Sequence, residues 1–103
     1  MNNLTGASHG SIGTATGWLL SPGTNVNGVV ILGLGLSTGG RAVIHVTSGV
    51  PGAYDDASNP WLASGGTTGA AALALPIILP PGQGLYFYAT SATSEAWAVY
   101  KVL

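Results

Sequence analysis

Two neighbouring stretches decide the fold class: Val26-Asn27-Gly28-Val29-Val30-Ile31-Leu32-Gly33-Leu34-Gly35-Leu36 and Arg41-Ala42-Val43-Ile44-His45-Val46-Thr47. Aliphatic and β-branched residues dominate both. Neither shows the i, i+3, i+4 spacing of a helix face, so both read as strands. Gly33 and Gly35 fall on one face of the first strand, where a bulge or the close approach of another backbone is expected. Between the two runs, Thr38-Gly39-Gly40-Arg41 reads as a hairpin turn, because glycine accepts the positive φ of short hairpin loops. The second run is then the hairpin partner of the first.

The pattern repeats outward from this pair. Residues 14–20 read as a strand closed by the turn Ser21-Pro22-Gly23-Thr24-Asn25. Residues 48–68 read as a long loop rich in Pro and Gly around Tyr54 and Trp61. Residues 70–79 return to an apolar strand interrupted or edged at Pro76. After the turn Pro80-Pro81-Gly82-Gln83-Gly84, residues 85–89 alternate: Leu85, Phe87 and Ala89 on one face, Tyr86 and Tyr88 on the other. Residues 95–103 close the chain as a strand. The expected fold is all-β, a β-sandwich or jelly roll of about six to eight strands. Residues 1–13, small and polar, are expected to form a flexible or docking arm whose removal leaves the thermal transition nearly unchanged. Residues 14–103 are expected to form a single domain.

Composition bounds the function. Of 103 residues, two are Lys or Arg and three are Asp or Glu, whereas 47% are apolar and 17 are glycine. A typical domain is about 25% charged. With a net charge of −1, copies of this chain repel one another very little. Two cations cannot neutralise a run of phosphates, so electrostatic nucleic-acid binding is not expected. No apolar run approaches the roughly 20 residues of a membrane helix. The first residues carry neither the basic nor the apolar region of a secretory signal, which points to synthesis in a cytoplasm. There is no cysteine, hence no disulfide or thiolate chemistry.

Catalytic constellations are missing. His9 and His45 have no motif around them, no serine lies in a Gly-x-Ser-x-Gly context, and Gly33-Leu34-Gly35 has no third glycine in dinucleotide-binding position. No enzyme activity, cofactor or metal is therefore expected. Asp55 and Asp56 are the only adjacent carboxylates. With Tyr54 and Trp61 they form either a solvated turn or a sugar-binding platform of stacking ring and acceptor, and a calcium site would need several more oxygens. Core packing is the default for the aromatics, Trp97 and Phe87 above all. Tyr86 and Tyr88 share the face opposite Phe87, and at least one is expected at an interface. The candidate interface or ligand contacts are Tyr54, Asp55, Asp56, Trp61, Tyr86 and Tyr88.

The segment Leu79-Pro80-Pro81-Gly82-Gln83-Gly84-Leu85-Tyr86-Phe87-Tyr88 resembles the turn-into-strand segment near the C-terminus of small bacteriophage virion proteins. In those proteins too, a last strand such as Ala96-Trp97-Ala98-Val99-Tyr100-Lys101-Val102-Leu103 often ends the chain. In size, glycine content and charge poverty the chain is similar to capsid decoration (cement) proteins. That resemblance implies a non-enzymatic structural protein on the capsid surface of a virion. It would be a homotrimer, with a dimer as the second choice, bound to the major capsid protein or another virion protein, without nucleic acid or membrane. The loop aromatics beside Asp55 and Asp56 keep a second expectation open: a carbohydrate- or receptor-binding module of a phage tail or fibre.

Overall fold

The computed structural model describes residues 7–12, 16–52, 61–66, 69–70, 76–90 and 93–103. Among these, nine strands form: β1 (Ser8–Ile12), β2 (Gly17–Leu20), β3 (Val29–Ser37), β4 (Ala42–Thr47), β5 (Trp61–Gly66), β6 (Gly69–Ala70), β7 (Ile77–Leu79), β8 (Gly84–Ala89) and β9 (Glu95–Val102). The only helical piece described is a single 3-10 turn over Pro22–Thr24. The chain is all-β, as the absence of helical period required.

All strand pairs are antiparallel, and they form two sheets. Sheet A runs β1-β9-β3-β7 and sheet B runs β2-β8-β4-β5-β6. The expected hairpin is not formed: β3 belongs to sheet A and β4 to sheet B. Thr38-Gly39-Gly40 carries the chain from one sheet to the other. Local turn chemistry permits a hairpin there, but each strand has a better long-range partner. β3 pairs with β9 along its whole length, and β4 pairs with β8 from Ala42–Ala89 to Thr47–Gly84. The expected bulge does occur, as a register shift against β9 between Ile31 and Gly33.

Two further expectations are corrected. Residues 8–12 of the supposed arm pair with β9 in continuous register, Ser8 opposite Tyr100 through Ile12 opposite Ala96. Small polar residues suit a strand whose neighbour supplies the hydrogen bonds. Within the supposed loop over 48–68, β5 runs from Trp61 to Gly66 and pairs with β4. Its run Ala63-Ser64-Gly65-Gly66 hides the strand pattern, because a register against β4 needs backbone groups more than bulky side chains.

Both sheets contribute to one core. Val29, Ile31, Leu79, Ala96 and Ala98 come from sheet A, and Leu19, Leu20, Ala42, Ile44, Leu85, Phe87 and Ala89 from sheet B. Phe87, the chain's only phenylalanine, is fully buried. The alanines leave it room, as close packing of unequal side chains requires. Each fully buried large aliphatic or aromatic side chain here stabilises the fold by about 1.5–3 kcal/mol.

The connections between sheets are held by polar side chains, which accounts for part of the Ser, Thr and Asn content. Thr38 Oγ1 and Ser94 Oγ, from two different crossing segments, share a 2.7 Å hydrogen bond, and Ser94 is fully buried. Thr16 Oγ1 donates to the Ala89 carbonyl and accepts from the Ala89 N–H. At the other end Asn25, only 2% exposed, clamps the turn before β8. Its Nδ2 donates to the carbonyls of Pro80 (2.7 Å) and Gln83 (2.8 Å), and its Oδ1 accepts from the Gly28 N–H at 2.8 Å. Asn25→Ala should therefore lose about 2–4 kcal/mol, because three partners are left without their mate. Asn25→Asp should be worse at neutral pH, since an ionised carboxylate can donate to neither carbonyl, and should recover on acidification. Urea unfolding at pH 7 and pH 4 checks both statements.

Candidate functional site

Three of the six candidate contacts fall among the described residues. Tyr54, Asp55 and Asp56 lie outside the described residues. The other three belong to sheet B, on two strands separated by β4: Trp61 begins β5, and Tyr86 and Tyr88 lie on β8. The register sets Trp18 of β2 opposite Tyr86, Tyr86 opposite His45 of β4, and His45 opposite Trp61. A row of four ring-bearing residues thus crosses four strands. The row follows from pairing between segments far apart in sequence, so no local motif announces it.

Burial separates the members of this face. Tyr86 is 8% exposed, with the Trp18 ring meeting it edge-on at 4.8 Å and 85° and the Tyr88 ring tilted at 6.2 Å. Edge-to-face geometry of this kind adds about 0.5–1.5 kcal/mol to plain burial. Tyr86 thus packs within the chain, although the sequence had placed it among candidate contacts. Its neighbours on β4, Val43 and His45, are buried as well. His45 Nδ1 finds no hydrogen-bond partner among the described residues, although the residue is engaged elsewhere. Trp18 and Tyr88 are half-buried and remain in reach of a ligand.

A second face was missed at the sequence level. Trp97, expected in the core, is 40% exposed on the outer side of sheet A. The signal was present. Glu95, Trp97, Val99 and Lys101 are in one phase of β9, and Ala96 and Ala98 in the other. Two charged residues in phase with Trp97 mark its face as the outer one, and alanines suit a crowded interior. The Trp97 ring lies over Gly35, where a Cβ would collide with it. Gly35 thus admits a side chain, where a bulge or a neighbouring backbone had been expected.

Acid–base and metal chemistry have little to draw on in either face. Glu95 is the only carboxylate side chain among the described residues, and it stands on the sheet opposite the aromatic row. The described residues hold no group of three or more His, Cys, Asp or Glu side chains, and none of their helices is long and apolar enough to cross a membrane. What the faces offer is ring stacking, apolar burial and hydrogen bonding. Comparison with known protein families, curated proteins and solved structures gives no match.

Proposed function

We propose that the chain is a non-enzymatic virion structural protein, a capsid decoration (cement) protein that binds a phage head shell as a small homo-oligomer and stabilises it. The observation that carries this reading is the strand order. Sheet A runs β1-β9-β3-β7 and sheet B runs β2-β8-β4-β5-β6, so the chain changes sheet at six of the eight connections between described strands. That order, together with one core fed by both sheets, supports the finer description as a β-sandwich of jelly-roll type. Jelly rolls serve as viral capsid and lectin domains. The step from fold to function is one of analogy, and charge poverty adds to it. A surface with so few charges loses little hydration of charge when a partner covers it. The three copies implied by the resemblance would act on a shell made in the host cytoplasm.

Attachment through apolar burial and backbone hydrogen bonds should be weakly screened. The test is co-sedimentation of the full chain with capsid shells of the phage that would encode it under this reading. Binding should survive about 1 M salt, where the Debye length is about 3 Å, and weaken in urea, which solvates apolar and peptide groups. Absence of binding to shells overturns the reading. A second reading, a carbohydrate- or receptor-binding module of a tail or fibre, is favoured by half-buried Trp18 and Tyr88 beside one another's neighbour Tyr86. It predicts a glycan-array signal that Tyr88→Ala abolishes.

A further inference from the structure

The outer face of sheet A is complementary to itself. Along β9 its outward residues run Glu95, Trp97, Val99, Lys101: an acid at one end, a base at the other, and two apolar side chains between. On the neighbouring β3, Gly35 lies beneath the Trp97 ring and Gly33 stands opposite Val99, which keeps the surface low. Toward the Lys101 end, Val30 and the 67% exposed Ile78 extend the apolar area. Glu95 and Lys101 are two of the chain's five charged residues, and they stand about 20 Å apart along the strand.

We propose that a second copy of this chain docks on this face across a two-fold axis. The axis lies in the interface, perpendicular to β9, and passes over Ala98. This rests on the reading that the chain self-associates, takes two copies in place of the three that the resemblance implies, and names the surface and the symmetry. Rotation about that axis reverses the strand direction. Glu95 then faces the partner's Lys101, Lys101 faces the partner's Glu95, and Trp97 covers the partner's Val99. An axis parallel to β9 would set Glu95 against its own copy, and like charges brought together in an interface are unfavourable. Charge order along one strand therefore selects one of the two ways of stacking the face on itself. A two-fold contact uses the same patch on both copies and closes at two subunits. Strands of five, eight, nine and three residues give a face of about 400 Å² per copy. That is below the usual range for a specific interface, so the pair should be weak and reversible.

Sedimentation equilibrium of the full chain, from about 1 μM to about 1 mM, tests the proposal, with thermal unfolding as the check that each variant is folded. The wild-type chain should form a reversible dimer in the micromolar range or weaker. Glu95→Lys and Lys101→Glu should each weaken it about tenfold at low salt, since each puts like charges opposite one another twice. The double exchange Glu95→Lys/Lys101→Glu should return to within about twofold of wild type, and the two single variants mixed should pair better than either alone. Trp97→Ser should weaken dimers at least about tenfold, as loss of a central aromatic does. A monomer throughout, a trimer, or a dimer indifferent to the charge reversals overturns the proposal. A monomer that still binds capsid shells would sink this pairing and leave the shell-binding part of the proposed function standing. A charge-sensitive dimer that binds no shells would do the reverse.

Discussion

Gly84→Ala should be among the most damaging single methyl additions in this chain. A Cβ at Gly84 would strike the carbonyl oxygen of Leu20 and would lie 2.8 Å from the Pro22 nitrogen and 2.9 Å from its Cδ. Backbone and a proline ring cannot rotate away as a side-chain tip can. Relief requires β2 to separate from β8 at the corner where Leu20 pairs with Leu85, both buried in the core. The expected loss is about 4 kcal/mol or more, a large part of the 5–15 kcal/mol that holds a typical domain together. Two other glycines calibrate the result. Gly82 has φ +82° with open space around its Cβ position, so Gly82→Ala should cost only the left-handed strain of about 1–2 kcal/mol. Gly49 has neither positive φ nor any atom within 4 Å, so Gly49→Ala should be neutral or stabilise by up to about 1 kcal/mol. Urea denaturation of the three variants gives the order directly. Equal losses at 84 and 49 would mean that β2 and β8 do not meet as described.

Removal of residues 1–13 should lower the thermal transition by about 10 °C or more, the shift expected in a small domain for a loss of about 2 kcal/mol. The composition of those residues suggests a dispensable arm, but β1 supplies the whole hydrogen-bonding edge of β9 from Tyr100 to Ala96. Without it, a long strand with an exposed apolar face becomes an open sheet edge, which invites pairing with other copies. Aggregation on heating should accompany the shift, and light scattering during the melt would record it. Gly10→Ala should reproduce much of the effect within the full chain, because its Cβ would run into the carbonyl oxygen of Leu19 on β2. An unchanged transition for the truncated chain would restore the arm and remove β1 from the stabilising sheet. Any docking role for the N-terminal residues is left to those outside β1.

Local pattern was a good guide where a strand's side chains are large and alternate. β3, β4, β8 and β9 were legible from Val29-Val30-Ile31, Val43-Ile44, Leu85-Tyr86-Phe87 and Ala96-Trp97-Ala98-Val99. The turn at Pro80-Pro81-Gly82-Gln83 was legible from proline and glycine chemistry, and the Gln83 N–H does donate to the Pro80 carbonyl. Strands made of small or polar residues, Ser8–Ile12 and Trp61–Gly66, were not, because a partner strand and no pattern of their own defines them. The candidate site fared similarly. Tyr86 and Tyr88 share a face, as alternation requires. That Tyr86 is packed under Trp18 depends on a pairing between residues 68 positions apart, Trp18 with Tyr86. Trp97 was misplaced because aromatic size was weighed above phase.

The sequence by itself determined that the chain is β throughout, since glycine spacing, alternation and the lack of helical period are properties of adjacent residues. It determined as well that charge is scarce, because five charged side chains are all there are. Which strands pair was decided only in the tertiary structure. A strand's hydrogen-bonding edges accept any neighbour of suitable register, so the choice between the 38–41 hairpin and the crossing to the other sheet fell to burial. β3 buries Val29 and Ile31 beside β9, and β4 buries Ile44 beside Phe87, in one core that a local hairpin does not require.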